Sequence, residues 1–406
     1  MLFLKKIMSI PLVLRISLGL LIGVILGLVL PQATFIAMLG KIFISALKGI
    51  APILVLFLVI SSLANAGKNL GARFKTVISL YLISTLIAAV VAVVASFIFP
   101  LTVTLSGSVE ASAPGKLSEV FGTLLTNMVM NPIQALSTGN YVGILFWAIL
   151  VGVSVRKFTD DATKSVLYDI SNAISVIISW VIQAAPFGIL GLSFETVSQN
   201  GAGIFYDYGK LIVLLLACMF IQALIMNPVM VAICLKKNPY PLVFKCLRES
   251  AITAFFTRSS AANIPINMAL CEKLKLDKEF YSVSIPLGAT INMDGAAITI
   301  TIMSLAAAFS SGVHVNIIIA LILSVVATLG ACGASGVAGG SLLLIPMACS
   351  LLGVSQDVAM QMVSIGFIIG IIQDSVETAL NSSGDAIFTA TAEFYSWKKE
   401  GRELPL

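Results

Sequence analysis

The sequence predicts an all-α polytopic membrane protein with about eight transmembrane helices and two re-entrant helical hairpins that form inverted repeats. Hydrophobic residues make up 58% of the 406 positions and charged residues only 11%, whereas soluble chains are about 25% charged. Apolar runs long enough to cross a bilayer recur along the chain, and basic residues cluster in alternate loops. These observations exclude a soluble globular protein. A net charge of +5 distributed in this way does not indicate nucleic-acid binding.

Apolar runs are predicted to form membrane-spanning helices of about 20 residues each. They are Ile16–Leu30, Ile42–Leu63, Val77–Phe99, Tyr141–Val155, Val166–Leu192, Leu211–Leu235, Val283–Phe309 and Gln361–Thr391. Between the third and fourth runs, the polar segment SGSVEASAPGK precedes a short apolar stretch, Phe121–Met130. That stretch is either an extra helix or part of a broken fourth span.

The placement of the basic residues predicts the topology. Clusters of Lys and Arg lie before the first run, after the last, and in every second loop, while loops such as Pro31–Phe35 and Ser198–Gly203 contain none. Loops rich in Lys and Arg stay on the cytoplasmic side of a membrane. Both termini are therefore predicted to be cytoplasmic.

Two segments do not fit simple alternation. Ser250–Cys271 has basic clusters on both sides, so both of its ends favour the cytoplasm. It is predicted to enter and return as a hairpin with its tip at Thr257–Pro265. Val315–Leu352 is too long for one span, and its middle, Gly330–Ser341, is rich in glycine and a poor helix former. It is predicted to be a second hairpin that enters from outside.

Each predicted hairpin is followed by one span, and the two pairs enter from opposite sides of the membrane. Irregular backbone at membrane depth is tolerated only where it is buried in protein or lines a cavity. Inverted repeats with broken helices are typical of secondary transporters, which bind their substrates near the middle of the bilayer. The sequence therefore predicts a binding site in the last third of the chain.

The last span carries polar residues at helical spacing. Asp374, Thr378, Asn381 and Asp385 fall on one narrow stripe of a helix, and Glu377 lies at its edge. The charged residues in apolar surroundings are four acids and one base: Asp294, Asp374, Glu377, Asp385 and the hairpin-tip residue Arg258. Each charge costs about 2.5–3.5 kcal/mol at the centre of a bilayer. Buried ion pairs are one explanation, but a surplus of acids favours a cation site.

The segment from Gly288 to Gly295 supports a cation site. Asn292 and Asp294 supply side-chain oxygens, and the two glycines would allow the helix to loosen and expose backbone carbonyls. Such oxygens suit a hard cation, whereas soft metals prefer Cys or His. The chain has one His, His314 in a predicted outer loop, and no C-x-x-C pair among its six cysteines.

Gly333-Ala334-Ser335-Gly336 looks like the G-x-S-G of rhomboid-type intramembrane serine proteases. A hydrolase that uses Ser335 would need a general base on a neighbouring helix, and His314 is badly placed for this role. The alternative interpretation is the tip of the second hairpin, formed by small residues. We expect a transporter and not an enzyme.

Three linked motifs carry a family resemblance: TRSS at Thr257–Ser260, NMDG at Asn292–Gly295, and D-x-x-x-T-x-x-N-x-x-x-D at Asp374–Asp385. The chain resembles the glutamate-transporter-like family of dicarboxylate/amino-acid:cation symporters, and within it most the bacterial branch that couples serine and threonine to sodium. The resemblance implies a homotrimer in the bacterial inner membrane and an elevator mechanism. In that mechanism, scaffold residues 1–73 and 101–198 support a sliding transport part of residues 74–100, 199–248 and 249–406.

The resemblance also implies residue roles. Asp374 would hold the substrate amino group, Asn381 its carboxylate, and Thr378 would line the site. The hairpin tips would assist through Ser259, Ser260, Gly333, Ala334, Ser335 and Gly336. One sodium ion would be held by Asn292, Asp294, Tyr81, Ser84 and Thr85. A second would use Asn381, Asp385 and the Gly288 carbonyl, and a third the carbonyls around Thr290 and the second tip.

Glu377 departs from the family pattern, because members that carry acidic substrates have an arginine there and a threonine at the position of Ala296. That arginine grips the substrate side-chain carboxylate, which Glu377 would repel. We therefore expect the substrate to be a small neutral amino acid whose hydroxyl forms a hydrogen bond with Glu377 or Thr378. A further hypothesis is that Arg258 compensates Glu377 or Asp374. A proton-coupled or dicarboxylate carrier of the same fold remains the alternative within transporters.

Overall fold

The apolar runs fold as helices in the computed structural model, which describes residues 12–65, 72–105, 126, 128–138, 140–201, 203–332 and 339–405. The helices in chain order are α1 (Leu12–Val29), α2 (Ala37–Asn65), α3 (Ala72–Ile98), α4 (Pro132–Thr138), α5 (Tyr141–Phe158), α6 (Asp161–Gln183), α7 (Ala185–Asn200), α8 (Ile204–Ile221), α9 (Asn227–Leu235), α10 (Tyr240–Cys246), α11 (Ile252–Thr257), α12 (Ser260–Lys273), α13 (Lys278–Ile291), α14 (Asp294–Ser310), α15 (Ile317–Ala331), α16 (Ile345–Leu351) and α17 (Gln356–Lys399).

The described residues contain six helices that are long and apolar enough to cross a membrane. They are Thr34–Asn65, Arg73–Ile98, Asp161–Gln183, Phe205–Leu235, Lys278–Ser310 and Gln356–Lys399. Helical spans of this kind satisfy every backbone hydrogen bond internally, as the hydrocarbon region requires. The predicted all-α polytopic class is confirmed at this level.

The prediction of one continuous span at Val166–Leu192 is wrong. The chain forms α6 and α7 instead, and the helix breaks at Ala184, whose N–H turns to the Val181 carbonyl at 3.0 Å. Pro186 lies in the first turn of α7 and has no N–H to continue the ladder of α6. Hydrophobicity alone did not reveal this break, because both helices are apolar.

The tip of the first hairpin is shorter than predicted. Only Arg258 and Ser259 leave helical geometry, and Ala261 to Pro265 already belong to α12. Arg258 adopts the left-handed conformation with φ 51° and ends α11. Ser259 begins α12 by accepting a hydrogen bond at its side chain from the Ala262 N–H at 3.2 Å.

The second predicted hairpin is described on both sides of its tip. Its first leg is α15, and its second leg is a 3₁₀ turn, Ser341–Leu344, that leads into α16. The predicted tip Gly333–Gly336 lies outside the described residues. So do the linker SGSVEASAPGK and all of Phe121–Met130 except residue 126 and residues 128–130.

The N-terminal helices pack closely through glycines. α1 lies along α7, and a Cβ at Gly23 would meet the backbone oxygen of Leu190 and the hydroxyl of Ser193. α2 packs between α5, α6 and α7. Small residues at such crossings let helix backbones approach in a membrane, where there is no hydrophobic force between helices.

The buried centre of the molecule lies around α14, whose residues from Asp294 to Ala308 are all buried. α14 contacts α3, α17 and both legs of the second predicted hairpin. The polar stripe of α17 faces inward, and Asp374, Asn381 and Asp385 are at most 3% exposed. The fold therefore gathers the candidate site residues in the protein interior.

Candidate functional site

A break between α13 and α14 opens the centre of the site. Asn292 and Met293 have non-helical backbone angles, with φ −94° and ψ 87° at Asn292. The break falls inside the segment that was predicted to loosen. Asn292 there projects its amide toward α17, where Nδ2 donates to the Asn381 carbonyl at 3.0 Å and to Asp385 Oδ1 at 3.0 Å.

Two oxygens beside this break are buried without partners. Asn292 Oδ1 and Asp385 Oδ2 accept no hydrogen bond from any described residue, and both side chains are 0% exposed. Most buried polar atoms in proteins are paired, because leaving one unpaired costs about 1–3 kcal/mol. An anionic oxygen and an amide oxygen in this condition fit a hard, dehydrated cation.

Glycines make this arrangement possible. A Cβ at Gly288 would lie 2.8 Å from Asp385 Oδ1 and 2.8 Å from the Tyr81 hydroxyl. A Cβ at Gly384 would lie 2.6 Å from Asn292 Nδ2. Real Cβ atoms do not approach other atoms so closely, so the helices can meet only where glycine stands.

Asp294 lies in a shell of neutral donors at the start of α14. Its Oδ2 accepts from Ser84 Oγ at 2.7 Å, Gln222 Nε2 at 3.4 Å and Asn227 Nδ2 at 3.4 Å. Its Oδ1 accepts from Thr85 Oγ1 at 3.2 Å. Asp294 is 0% exposed and forms no ion pair within the described residues. The predicted grouping of Asp294 with Ser84 and Thr85 agrees with these contacts.

Tyr81 lies on the Asp385 side of this region. Its hydroxyl donates to the backbone carbonyls of Ser284 and Asp385 at 3.1 and 3.2 Å and shares a hydrogen bond of 2.9 Å with Thr389. Its backbone carbonyl, in contrast, accepts from Thr85 Oγ1. The structure thus brings the backbone of Tyr81, and not its hydroxyl, toward Asp294 and Thr85.

Thr290 has an exposed side chain that donates to the Leu287 carbonyl at 2.7 Å, in the last turn of α13. Next to it, the Ile291 carbonyl accepts from Cys332 Sγ at 3.4 Å, at the end of the first leg of the second predicted hairpin. The end of this leg therefore contacts the residue next to Thr290, while the predicted tip itself lies outside the described residues.

Arg258 forms an ion pair with Asp374. Its Nη2 and Nε lie 2.6 and 2.7 Å from Asp374 Oδ2, and both side chains are almost fully buried. The other oxygen, Asp374 Oδ1, accepts one hydrogen bond from the described residues, from the Gly339 N–H at 3.3 Å. Of the two hypotheses for Arg258, the pairing with Asp374 is the one that the structure contains.

Glu377 is surrounded by neutral groups. Its Oε2 accepts from Thr299 Oγ1 at 2.7 Å, from Ser341 Oγ at 3.0 Å and from Gln373 Nε2. Its Oε1 has no hydrogen-bond partner in the part of the chain that the structure describes. Glu377 is 5% exposed, so a buried carboxyl with no basic partner among the described residues lies one helical turn from Asp374.

Asn381 has its amide oriented by α14. Oδ1 accepts the Gly295 N–H at 2.7 Å, while among the described residues Nδ2 has the Met293 sulfur as its one partner, at 3.5 Å. The amide N–H groups are thus available to an acceptor. Thr378 donates to the Asp374 carbonyl at 2.8 Å, which leaves its hydroxyl oxygen able to accept.

The hairpin-tip residues are only partly described. Ser259 is half-buried and serves as a helix cap, and Ser260 is buried at the start of α12. Gly333, Ala334, Ser335 and Gly336 lie outside the described residues, so the hydrolase alternative based on Ser335 is not tested.

Comparison with known proteins gives the family. The model of the sodium:dicarboxylate symporter family matches residues 12–393. The chain belongs to the sodium:dicarboxylate symporter family. The resemblance predicted from the three motifs is confirmed, and membership, together with the apolar helices, makes the chain a multi-pass membrane protein.

Three proteins that are similar to this chain share one name. A protein of Bifidobacterium adolescentis named serine/threonine transporter SstT is 56% identical over 395 residues, which is 97% of this chain and 92% of the relative. Proteins of the same name from Streptococcus thermophilus and Streptococcus agalactiae are each 52% identical. These alignments cover 95% and 96% of this chain and 96% and 98% of the relatives.

Sequence reasoning missed several residues of this candidate site. They are Gln222, Asn227, Thr299, Ser341 and Gln373, which bond Asp294 or Glu377. The prediction named neutral residues only where a motif or the family resemblance pointed to them, and it passed over these five. Gln222, Asn227 and Gln373 are amides within apolar runs, and that signal was present in the sequence.

Proposed function

We propose that this chain is a secondary active transporter that imports serine and threonine with sodium across the bacterial inner membrane. The observation that carries the proposal is the buried pair of unpartnered oxygens, Asn292 Oδ1 and Asp385 Oδ2, at the break in the seventh predicted span. The family name supports sodium coupling, and the name shared by the similar relatives supports serine and threonine as substrates.

The substrate binds between Asp374 and Asn381. Asp374 Oδ1, which has one weak backbone partner, receives the substrate ammonium in a charge-assisted hydrogen bond of about 1.5–3 kcal/mol. The available N–H groups of Asn381 hold the substrate carboxylate. Arg258, on the other carboxylate oxygen, holds the Asp374 side chain in place.

Glu377 sets the preference for neutral substrates. A substrate carboxylate near its buried, unpaired acid meets like charge, which costs several kcal/mol. A hydroxyl, in contrast, donates to Glu377 Oε1 or the Thr378 hydroxyl oxygen. The sodium:dicarboxylate family name alone permits an acidic substrate, and Glu377 is the residue that favours serine or threonine.

Sodium ions occupy sites formed by neutral and anionic oxygens. The first uses Asp294 and Asn292 with Ser84, Thr85 and Tyr81. The second uses Asp385, Asn381 and the Gly288 carbonyl. The third uses backbone carbonyls near Thr290 and the second hairpin tip. The contacts of Ser84 and Thr85 with Asp294 and the unpaired Asp385 oxygen support the first two assignments.

Transport follows an elevator mechanism in a homotrimer of eight-span subunits, an inference from the family. Residues 1–73 and 101–198 form the scaffold, and residues 74–100, 199–248 and 249–406 move together. One contact of α3 with the core supports the place of residues 74–100 in the moving part: Phe74 packs on Phe280 with ring centroids 4.8 Å apart. The placement of Lys and Arg supports cytoplasmic termini.

Uptake of radiolabelled serine into proteoliposomes tests the proposal. We expect uptake that requires an inward sodium gradient and that threonine, but not aspartate or glutamate, inhibits. Serine uptake that is indifferent to the sodium gradient would contradict it. Because Glu377 is a buried acid that pairs with no base in the described part of the chain, proton coupling is the second candidate, and replacing sodium with choline at fixed pH distinguishes the two.

A further inference from the structure

A π-helical turn, Gln222–Met226, interrupts the span Phe205–Leu235 between α8 and α9. π-Turns within α-helices occur often at functional sites, because the extra residue changes the direction of the flanking side chains. Here the turn begins at Gln222 and is followed directly by Asn227. Both side chains are 0% exposed, and both point to Asp294.

The two amides form one network with α3 and α14. Gln222 Nε2 lies 2.8 Å from Asn227 Oδ1, 3.1 Å from Ser84 Oγ and 3.4 Å from Asp294 Oδ2. Asn227 Nδ2 reaches the same carboxylate oxygen at 3.4 Å. In this arrangement the amides supply N–H donors to a buried carboxylate that has no cation beside it in the described residues.

The carbonyl oxygen of Gln222 has no partner in this arrangement. Gln222 Oε1 is buried and accepts no hydrogen bond from a described residue. Rotating the amide would bring that oxygen against Asp294 Oδ2 and Asn227 Oδ1, both acceptors. Such a meeting of oxygens is unfavourable unless a cation lies between them. The Gln222 amide therefore has two possible orientations. A cation at Asp294 would favour the one in which the amide oxygen faces the carboxylate.

We propose that Gln222 and Asn227 are positioning residues for the sodium ion at Asp294. Without the ion their N–H groups hold the carboxylate, and with the ion the Gln222 amide turns its oxygen inward. The inference rests on the proposed sodium-coupled function. It adds residues of the sixth predicted span, Leu211–Leu235, to the sodium site at Asp294. It assigns the π-turn a role in ion binding, where a purely structural role would only anchor this span to the core.

The test is the sodium dependence of serine uptake in Gln222→Met and Asn227→Leu, which keep side-chain volume and remove the amide. We expect the sodium concentration for half-maximal uptake to rise about tenfold or more, the loss expected for a bond to a charged group. The serine KM at saturating sodium should stay near the wild-type value. Gln134→Met, at an exposed position of α4, should change neither quantity.

A second readout is the rise in melting temperature that sodium alone causes in purified protein, which should need more sodium in both variants. If Gln222→Met does not fold, Gln222→Asn decides: a raised sodium requirement supports the inference, and a wild-type value overturns it. Equal losses of serine and sodium affinity would also overturn it and indicate a structural role. Failure of the proposed function would be distinct, since wild-type uptake would then not depend on sodium.

Discussion

Arg258 and Asp374 show how far single residues could be predicted. The cost of a charge in hydrocarbon identified both residues from the sequence, because few compensating groups were available. The choice of partner could not be predicted. It depends on the left-handed backbone of Arg258, which aims the guanidinium across the tip at Asp374.

Replacing Arg258 by Ala should destabilise the protein by about 3–5 kcal/mol, the usual cost of leaving one charge of a buried pair alone. Chemical denaturation in detergent measures this loss. Asp374→Asn in the same chain should restore much of the stability but not serine uptake, since the ammonium partner is gone. Arg248→Ala, an exposed position just before the same hairpin, should have little effect on stability. A double variant as unstable as Arg258→Ala would contradict the pairing.

Glu377→Gln should relax the exclusion of acidic substrates. Glutamine keeps the shape and can still bond Thr299 and Ser341, but it removes the negative charge. Inhibition of serine uptake by aspartate should strengthen at least about tenfold, because the like-charge repulsion is lost. Inhibition by alanine, a neutral competitor, provides the control and should change little. If aspartate is still excluded, the selectivity comes from another residue.

At the scale of elements, the apolar runs located most of the long helices, with ends that differ from the observed ones by up to eight residues. The prediction failed where local backbone chemistry decided the outcome. Pro186 divides one predicted span into α6 and α7, and the predicted nine-residue tip, Thr257–Pro265, contracts to Arg258 and Ser259. A loosening of the helix between Gly288 and Gly295 was predicted from these two glycines, and the break at Asn292 lies inside that segment.

Close helix approach at Gly384 gives a prediction at this scale. In Gly384→Ala, the new Cβ would displace the Asn292 amide from between α13 and α17. The sodium concentration for half-maximal uptake should rise about tenfold, as expected when a hydrogen bond to a charged group is lost. Gly370→Ala on the same helix has no atom within 4 Å of its new Cβ and should leave uptake unchanged. Equal sodium dependence in the two variants would show that the approach is not required.

At the scale of the whole molecule, composition predicted the class, and three motifs predicted the family. The contact between the proposed scaffold and the proposed transport part could not be predicted, because it depends on side-chain packing between distant segments. Phe43 of α2 packs on Phe367 of α17 with ring centroids 5.2 Å apart, and this contact joins the proposed scaffold to the proposed transport part. If the transport part slides, this contact must break during each cycle.

A cysteine pair at this contact tests the elevator mechanism. In Phe43→Cys/Phe367→Cys, a short bifunctional thiol reagent should stop serine uptake, because it joins parts that must separate. The six native cysteines are unpaired, so the half-buried Cys234 and Cys332 are first replaced by Ala to prevent side reactions. Uptake before cross-linking and recovery after cleavage of the linker show that the double substitution itself is tolerated.

The matched control joins two elements of the proposed transport part. Phe74 and Phe280 are in ring contact at 4.8 Å, on α3 and α13. Cross-linking Phe74→Cys/Phe280→Cys should leave uptake intact, because α3 and α13 are proposed to move as one body. Arrest by both cross-links would assign α3 to the fixed part and contradict the proposed division at residue 74. Continued uptake with residues 43 and 367 joined would contradict sliding along this surface.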